Sequence, residues 1–430
     1  GGAHAAPLAM PALAAAPPPE GLPGLGQERR QCSKMPVMPP SFSAATFDEQ
    51  VDELVGQLMP TPESDRIAGE LASFAKKAIQ GIFPDVEVVG FANGDIARGT
   101  AFGVAVPELD VIVIASPHHL IQHLQGRLTR GGMAVTRLDA RKLQKSAIRM
   151  CTDQLVSAGG FKFRRSAFRG QEPKVTLMAP TSLGIAGKGI PVDFSVNNQT
   201  PRYNSILLKA AAEVDPRAHA LVLLVRRWAK DRGICHAAKG HLSPYAWTLV
   251  ALYFMQVGIE DTPLLPPLQG FKMVSGPIVR RGGTEADERR GRKRWSPPAA
   301  SSPFASLAVG ALFKEFVLFY GRRMRWQREA VSVRQGKRAC ANLHLMMHII
   351  VNEDGSSEVG PSIEDPFEPA RNLGTSLSRL GLARMQEELT RAELLLEQGG
   401  SLSALLEPWA PAERGPAGAA APGGPEAPGA

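Results

Sequence analysis

Apolar positions along this chain recur first at helical spacing, then in short strand-like runs, then at helical spacing again. From Phe47 the helical set is Val51, Leu54, Val55 and Leu58, interrupted at Pro60 and Pro62. A second helix follows, with Pro62 in its first turn and Ile67, Leu71, Phe74 and Ile79 along one face. Then the period shortens. Residues 111–114, and 190–196 apart from Asp193 and Ser195, are apolar, and both stretches read as buried strands. Between them, 117–131 reads as a helix and 137–174 as a helix followed by strands. From Asn204 the helical period returns at 207–214, at 217–231 and in the largely apolar 243–257. Further helices are expected at 304–322 and 373–398. Residues 343–351 fit a strand or a buried helix equally.

The candidate chemistry sits where the period changes. Gly94, Gly99 and Gly103 mark backbone that turns tightly or lets a ligand come close. Glu108 and Asp110 follow, two apart at the head of the first strand, so both carboxylates are expected on one face. Asp193 is a lone acid in the other strand. Acids converging from two strands repel one another unless a cation sits among them, and a pair of divalent cations serves phosphoryl transfer. For the acid pair alone, a solvated strand end explains it as well. His118 and His119 are adjacent, point different ways on a helix, and read as solvated or packing residues.

The glycine-rich turn, the acid-x-acid strand and the later acid together resemble the polymerase-beta-like nucleotidyltransferases. Further stretches narrow the resemblance: Asn204 to Leu208, Asp215-Pro-Arg217, Leu223 to Ile234 around Trp228, Lys239 to Tyr245, and Ile363 to Gly374. In this order they are similar to template-independent RNA nucleotidyltransferases, the terminal uridylyltransferases and related poly(A) polymerases, from about Phe47 to Leu396.

The resemblance implies an α/β fold: a small mixed-sheet nucleotidyltransferase palm plus a mainly helical central domain with a PAP-associated region, and the nucleotide in the cleft between. The expected division is a low-complexity segment 1–42 and N-terminal helices 47–82 packing on the helical domain. The palm is 83–199, the helical domain 200–410, and the tail 411–430. By resemblance, Glu108, Asp110 and Asp193 are the catalytic, metal-binding acids. They would hold two Mg2+ or Mn2+ ions, with Asp193 also activating the RNA 3′ hydroxyl. Gly94, Asp95, Asn204, Arg226, Lys230, Tyr245, Asp365, Glu368 and Arg371 fall at nucleotide-binding positions. Asn204 would contact ribose and base, Arg226 and Lys230 the triphosphate, and Tyr245 would stack on the base. Asp365, Glu368 and Arg371 would lie at the base edge. Outside that resemblance, Arg226 and Lys230 read as a solvated helix face and Tyr245 as core. The chain departs from the family at Glu108, usually Asp; at Asp95, usually Ser; at Arg226, usually Lys; at Pro244, usually a small hydroxyl residue; and at Arg371, often His in uridylyltransferases.

Composition adds the partners. The net charge of +8 points to an acidic partner. Arg141, Lys145, Arg164 and Arg165 lie in a stretch with few acids that reads as an RNA-backbone path or a solvated face. The expected partners are an RNA 3′ end, UTP or ATP, and a protein adaptor, for a monomer with no membrane contact. No apolar run reaches transmembrane length. The four cysteines form no metal spacing, which fits a reducing compartment, nucleus or cytoplasm. The basic run 289–294, in a segment 280–298 expected to be a flexible insertion, reads as a nuclear address, an RNA grip or a solvated loop.

Overall fold

The computed structural model describes residues 40–97, 107–130, 139–168, 172–183, 189–259, 262–268, 306–338, 345, 348–351 and 354–409. Gly99, Gly103, the segment 280–298, the tail from 411, nearly all of 1–42, Cys32 and Cys340 lie outside these residues.

Helix α1 (Phe47–Leu58) starts at a capping box: the Thr46 hydroxyl accepts from the Glu49 amide, and the Glu49 carboxylate accepts from the Thr46 amide. Helix α2 (Pro62–Ile79) is capped by Thr61 with proline in its first turn. The two helices then part company. Val51, Leu54 and Leu58 of α1 join the helical core, while Ile67, Ala68, Leu71, Ala75 and Ile79 of α2 pack under the sheet. The expectation that both would pack on the helical domain is therefore corrected for α2. The local reason is Gly90 on β1 (Glu87–Ala92): a Cβ there would lie 2.2 Å from the Ala68 carbonyl oxygen, so the strand lies against the helix backbone.

The sheet is mixed. Its strands are β1, β2 (Leu109–Ile114), β3 (Lys162–Ala167), β4 (Lys174–Met178) and β5 (Pro191–Val196), in the order β1-β2-β5-β4-β3. β2 and β5 run parallel and their neighbours antiparallel. Helix α3 (Pro117–Arg130) follows β2, and α4 (Ala140–Ser157) packs on the sheet beside α2. Alternation along the strands sends Val111, Val113, Val175, Leu177, Val192, Phe194 and Val196 into that helix-covered core. It leaves Asp110, Thr176 and Asp193 on the opposite face.

A second core belongs to the helical part. Helix α5 (Thr200–Val214) begins earlier than the apolar pattern predicts, because Pro201 sits in its first turn. Helices α6 (Arg217–Asp231) and α7 (Pro244–Val257) pack together, with Trp228 and Trp247 edge to face at 5.7 Å. Helix α8 (Val309–Leu318) ends in a π turn, Phe319–Arg323. In the ambiguous 343–351 stretch, Ile349–Val351 is a strand. The last long helix, α9 (Arg379–Glu397), starts later than expected. Ser378 caps it, and Leu373–Ser376 forms a separate 3-10 turn ahead of it. No helix among the described residues is long and apolar enough to cross a membrane.

Candidate active site

Asp110 and Asp193 are register partners on the parallel pair β2 and β5, and Thr176 is the register partner of Asp193 on β4. Register partners share a face, so these side chains meet. Asn93 Nδ2 donates to Asp110 Oδ2 at 2.8 Å. Thr176 Oγ1 donates to Asp193 Oδ1 at 2.7 Å, and Lys174 Nζ lies 2.5 Å from Asp193 Oδ2. Arg165, expected on an RNA path, donates instead through Nε to Thr176 Oγ1 at 3.2 Å. Desolvation of the half-buried Asp110 carboxyl pushes it up to about 7; Lys174 opposes the shift and Asp193 reinforces it.

Glu108 does not join this pair. It lies just before β2, and its carboxylate is claimed by helix α6. Arg226 Nη2 donates to Glu108 Oε2 at 2.7 Å, and Lys230 pairs with Oε1. All three side chains are 2–3% exposed. The expectation of three acids gathered at one point is therefore corrected: two buried cations attract Glu108 more strongly than two other carboxylates can share it. No group of three His, Cys, Asp or Glu side chains able to hold a metal ion occurs among the described residues. Arg226 and Lys230 do share one face of α6, but that face is buried rather than solvated. Burial lowers Lys230 to about 7 and also lowers Arg226.

The glycine turn is also resolved in part. Gly94 and Asp95 are buried. Asp95 is buried, and its Oδ1 accepts from the Ala97 amide at 2.9 Å and from the Ser64 hydroxyl at 3.3 Å. One oxygen of this carboxylate thus takes two hydrogen bonds from the protein itself.

The remaining candidates tie the sheet to the helices. Asn204 Nδ2 donates to Asn93 Oδ1 at 2.8 Å, so α5 reaches Asp110 through Asn93. Arg371 Nη1 donates to Asp365 Oδ2 at 3.1 Å and to Thr200 Oγ1 at 3.0 Å, while Nη2 pairs with Glu172, just ahead of β4. Tyr245 is 4% exposed and donates to Asp365 Oδ1 at 3.3 Å. In this structure it belongs to the helical core and shows no open stacking face. Glu368 is exposed beside this network. Arg141 and Arg164 are exposed and Lys145 half-exposed, on α4 and β3. Asn93, Lys174, Thr176 and Glu172 were not singled out by the sequence. Lys174 and Thr176, two apart and polar in an otherwise apolar strand, carried a usable signal.

Asp110 and Asp193 are the two carboxylates that would face a cation here, since each disfavours the charge of the other, and Lys174 already pairs with Asp193. The carboxylate of Glu108 is committed elsewhere.

No family model matches the chain. The terminal uridylyltransferase cid1 of Schizosaccharomyces pombe is 28% identical over 239 residues, which is 53% of this chain and 56% of that protein. The poly(A) RNA polymerase cid11 of the same organism is 25% identical over 260 residues, 59% of this chain and 48% of that protein. The poly(A) RNA polymerase GLD2-A of Xenopus laevis is 29% identical over 217 residues, 49% of this chain and 37% of that protein. The chain thus spans about half the length of these curated relatives. A solved structure of Cid1 superposes with a TM-score of 0.55 at 20% identity, covering 85% of this chain and 98% of that one. Cid1 poly(U) polymerase bound to MgGTP gives 0.55 at 21% identity, covering 85% and 99%. In sequence the chain is similar to terminal uridylyltransferases and poly(A) RNA polymerases, and in fold to the Cid1 nucleotidyltransferase, as its motifs imply.

Proposed function

We propose that this chain adds a nucleoside monophosphate, from UTP or ATP, to the 3′ end of an RNA. The observation that carries the reading is the register pairing of Asp110 with Asp193, with the charge of Arg226 on α6 acting on Asp110. In the reaction, the RNA 3′ oxygen forms a bond to the α-phosphorus, the bond from that phosphorus to the leaving pyrophosphate breaks, and the hydroxyl proton passes to Asp193. Arg226 and Lys230 hold the triphosphate by charge, and they keep it in line rather than change its chemistry. Asn93 and Thr176 fix the two carboxylates in place, and Asn204 carries that order back to α5. A divalent cation, Mg2+ or Mn2+, held by Asp110 and Asp193 would neutralise charge developing on the transferred phosphoryl group. Relatives solved with MgATP or MgGTP support use of such a cation.

A second reading is a weakened relative that binds RNA or a protein adaptor without turnover. The commitment of Glu108 to Arg226 and Lys230 favours it. Extension of a short RNA with each of the four triphosphates and Mg2+ or Mn2+ separates the two. Growth of the RNA with UTP or ATP supports the enzyme; binding without growth under every condition supports the second reading.

A further inference from the structure

Arg226 and Lys230 both pair with the Glu108 carboxylate, and it leaves Arg226 short of acceptors. A guanidinium and an ammonium together offer eight N–H donors, whereas Glu108 brings a single carboxylate. Arg226 Nε and Nη1 are buried and have no hydrogen-bond partner. A buried guanidinium with orphaned donors is costly unless another anion arrives. A triphosphate has the oxygens and the charge that Glu108 lacks.

The mirror image holds on the sheet. Asp193 is paired with an internal cation, Lys174. On each side of the cleft a charged side chain is thus paired with the protein's own opposite charge.

We propose that Glu108 is an internal mask on the triphosphate cations Arg226 and Lys230, so that a polyphosphate binds by displacing the Glu108 carboxylate. The proposal rests on the reading of the cleft as a nucleotide site. Its consequence is partnership between ligands. A polyphosphate without a divalent cation must expel Glu108 and leave that carboxylate buried without a counter-charge. With a divalent cation present, the expelled carboxylate has a cation to face. Divalent cation and polyphosphate therefore raise one another's affinity, by the same factor in both directions.

The test is equilibrium binding of inorganic tripolyphosphate in EDTA, by calorimetry, to wild type and to Glu108→Gln, with circular dichroism as the check on folding. Glu108→Gln keeps the shape and removes the charge that competes. It should bind metal-free tripolyphosphate at least about tenfold more tightly than wild type. The double variant Glu108→Gln/Arg226→Met should lose that gain. Equal affinities for wild type and Glu108→Gln overturn the mask. Should Glu108→Gln not fold, wild type decides. Tripolyphosphate must then bind more weakly in EDTA than with Mg2+, and equal affinity in the two buffers overturns the mask. Wild-type binding of MgUTP or MgATP is the control. Nucleotide binding with no gain in the variant removes the mask alone, whereas no nucleotide binding under any condition removes the nucleotide site and the mask with it.

Discussion

Asp110 and Asp193 face each other across two parallel strands, each with its own hydrogen-bond donor, Asn93 for the first and Thr176 for the second. Two carboxylates held this close work against the stability of the fold, and burial alone raises the cost. Such a pair persists where the site uses it.

Replacing either acid should therefore separate stability from activity. Asp193→Ala and Asp110→Ala are expected to lower nucleotide addition by about 10²-fold or more, the scale of losing a positioned acid or base. Both variants should stay folded, and Asp110→Asn should melt no lower than wild type, because it removes a like charge. The measurements are RNA extension on a denaturing gel and thermal melting by circular dichroism. An Asp193→Ala protein that still extends RNA at the wild-type rate ends the assignment.

The acid side of the stability profile should be set in part by His219 on α6. Burial, with the charge of Arg226 nearby, lowers its imidazole to about 4 from an ordinary 6.5. The sign follows from proton uptake. Between those values the unfolded chain binds a proton that the native state refuses, so stability falls as pH drops through that window and levels off below it. His236 is lowered to about 4 as well and acts in the same direction. The check is the urea midpoint at pH 7 and at pH 5, for wild type and for His219→Gln. The variant should lose less stability between the two.

Much of this was legible in the sequence, and the limits have physical causes. Asp193 stood out because an acid in an apolar strand is rarely there for packing, and strand alternation then gave its face. The same alternation put Glu108 on that face. It said nothing of α6, far along the chain, whose cations claim the carboxylate. Helix α2 has the same period as α1, yet period gives a face and not the surface that face meets. Its buried residues in the sheet core and the close approach of Gly90 to Ala68 assign it to the sheet. Asp95 stood out as an acid at a nucleotide-binding position where the family usually has Ser. The Ser64 hydroxyl and the Ala97 amide, which donate to it, are a three-dimensional fact.

RNA affinity should weaken with salt through the exposed bases of α4 and β3. Arg141 and Arg164 are the exposed members, whereas Arg165 is engaged with Thr176. Replacing Arg164 by Ala should lower the slope of log affinity against log salt by about 0.7, the value for one phosphate contact on a single strand. Fluorescence anisotropy of a labelled RNA over a salt series gives the slope directly. A slope that ignores both Arg141→Ala and Arg164→Ala makes this surface a solvated face.

The last prediction concerns Arg371, which the sequence placed at the base edge. A guanidinium can only donate, and uracil presents an acceptor at O4 where adenine presents a donor, so an Arg371 on the base would favour UTP. The structure spends that side chain otherwise. Its Nη1 serves Asp365 and Thr200 and its Nη2 serves Glu172, so it ties the loop ahead of β4 to the start of α5 and to the 363–374 motif. Removing it leaves Asp365, which is fully buried, without its cation. The expected cost of Arg371→Ala is on the order of 3 kcal/mol, as for breaking a buried pair from one side. The ratio of UTP to ATP incorporation should stay where wild type has it, because the selecting contact is not this one. Two numbers decide the matter together: the denaturation midpoint and the incorporation ratio. A variant as stable as wild type but with a changed ratio would return Arg371 to the base. A destabilised variant with an unchanged ratio makes it a strut between the two halves of the cleft.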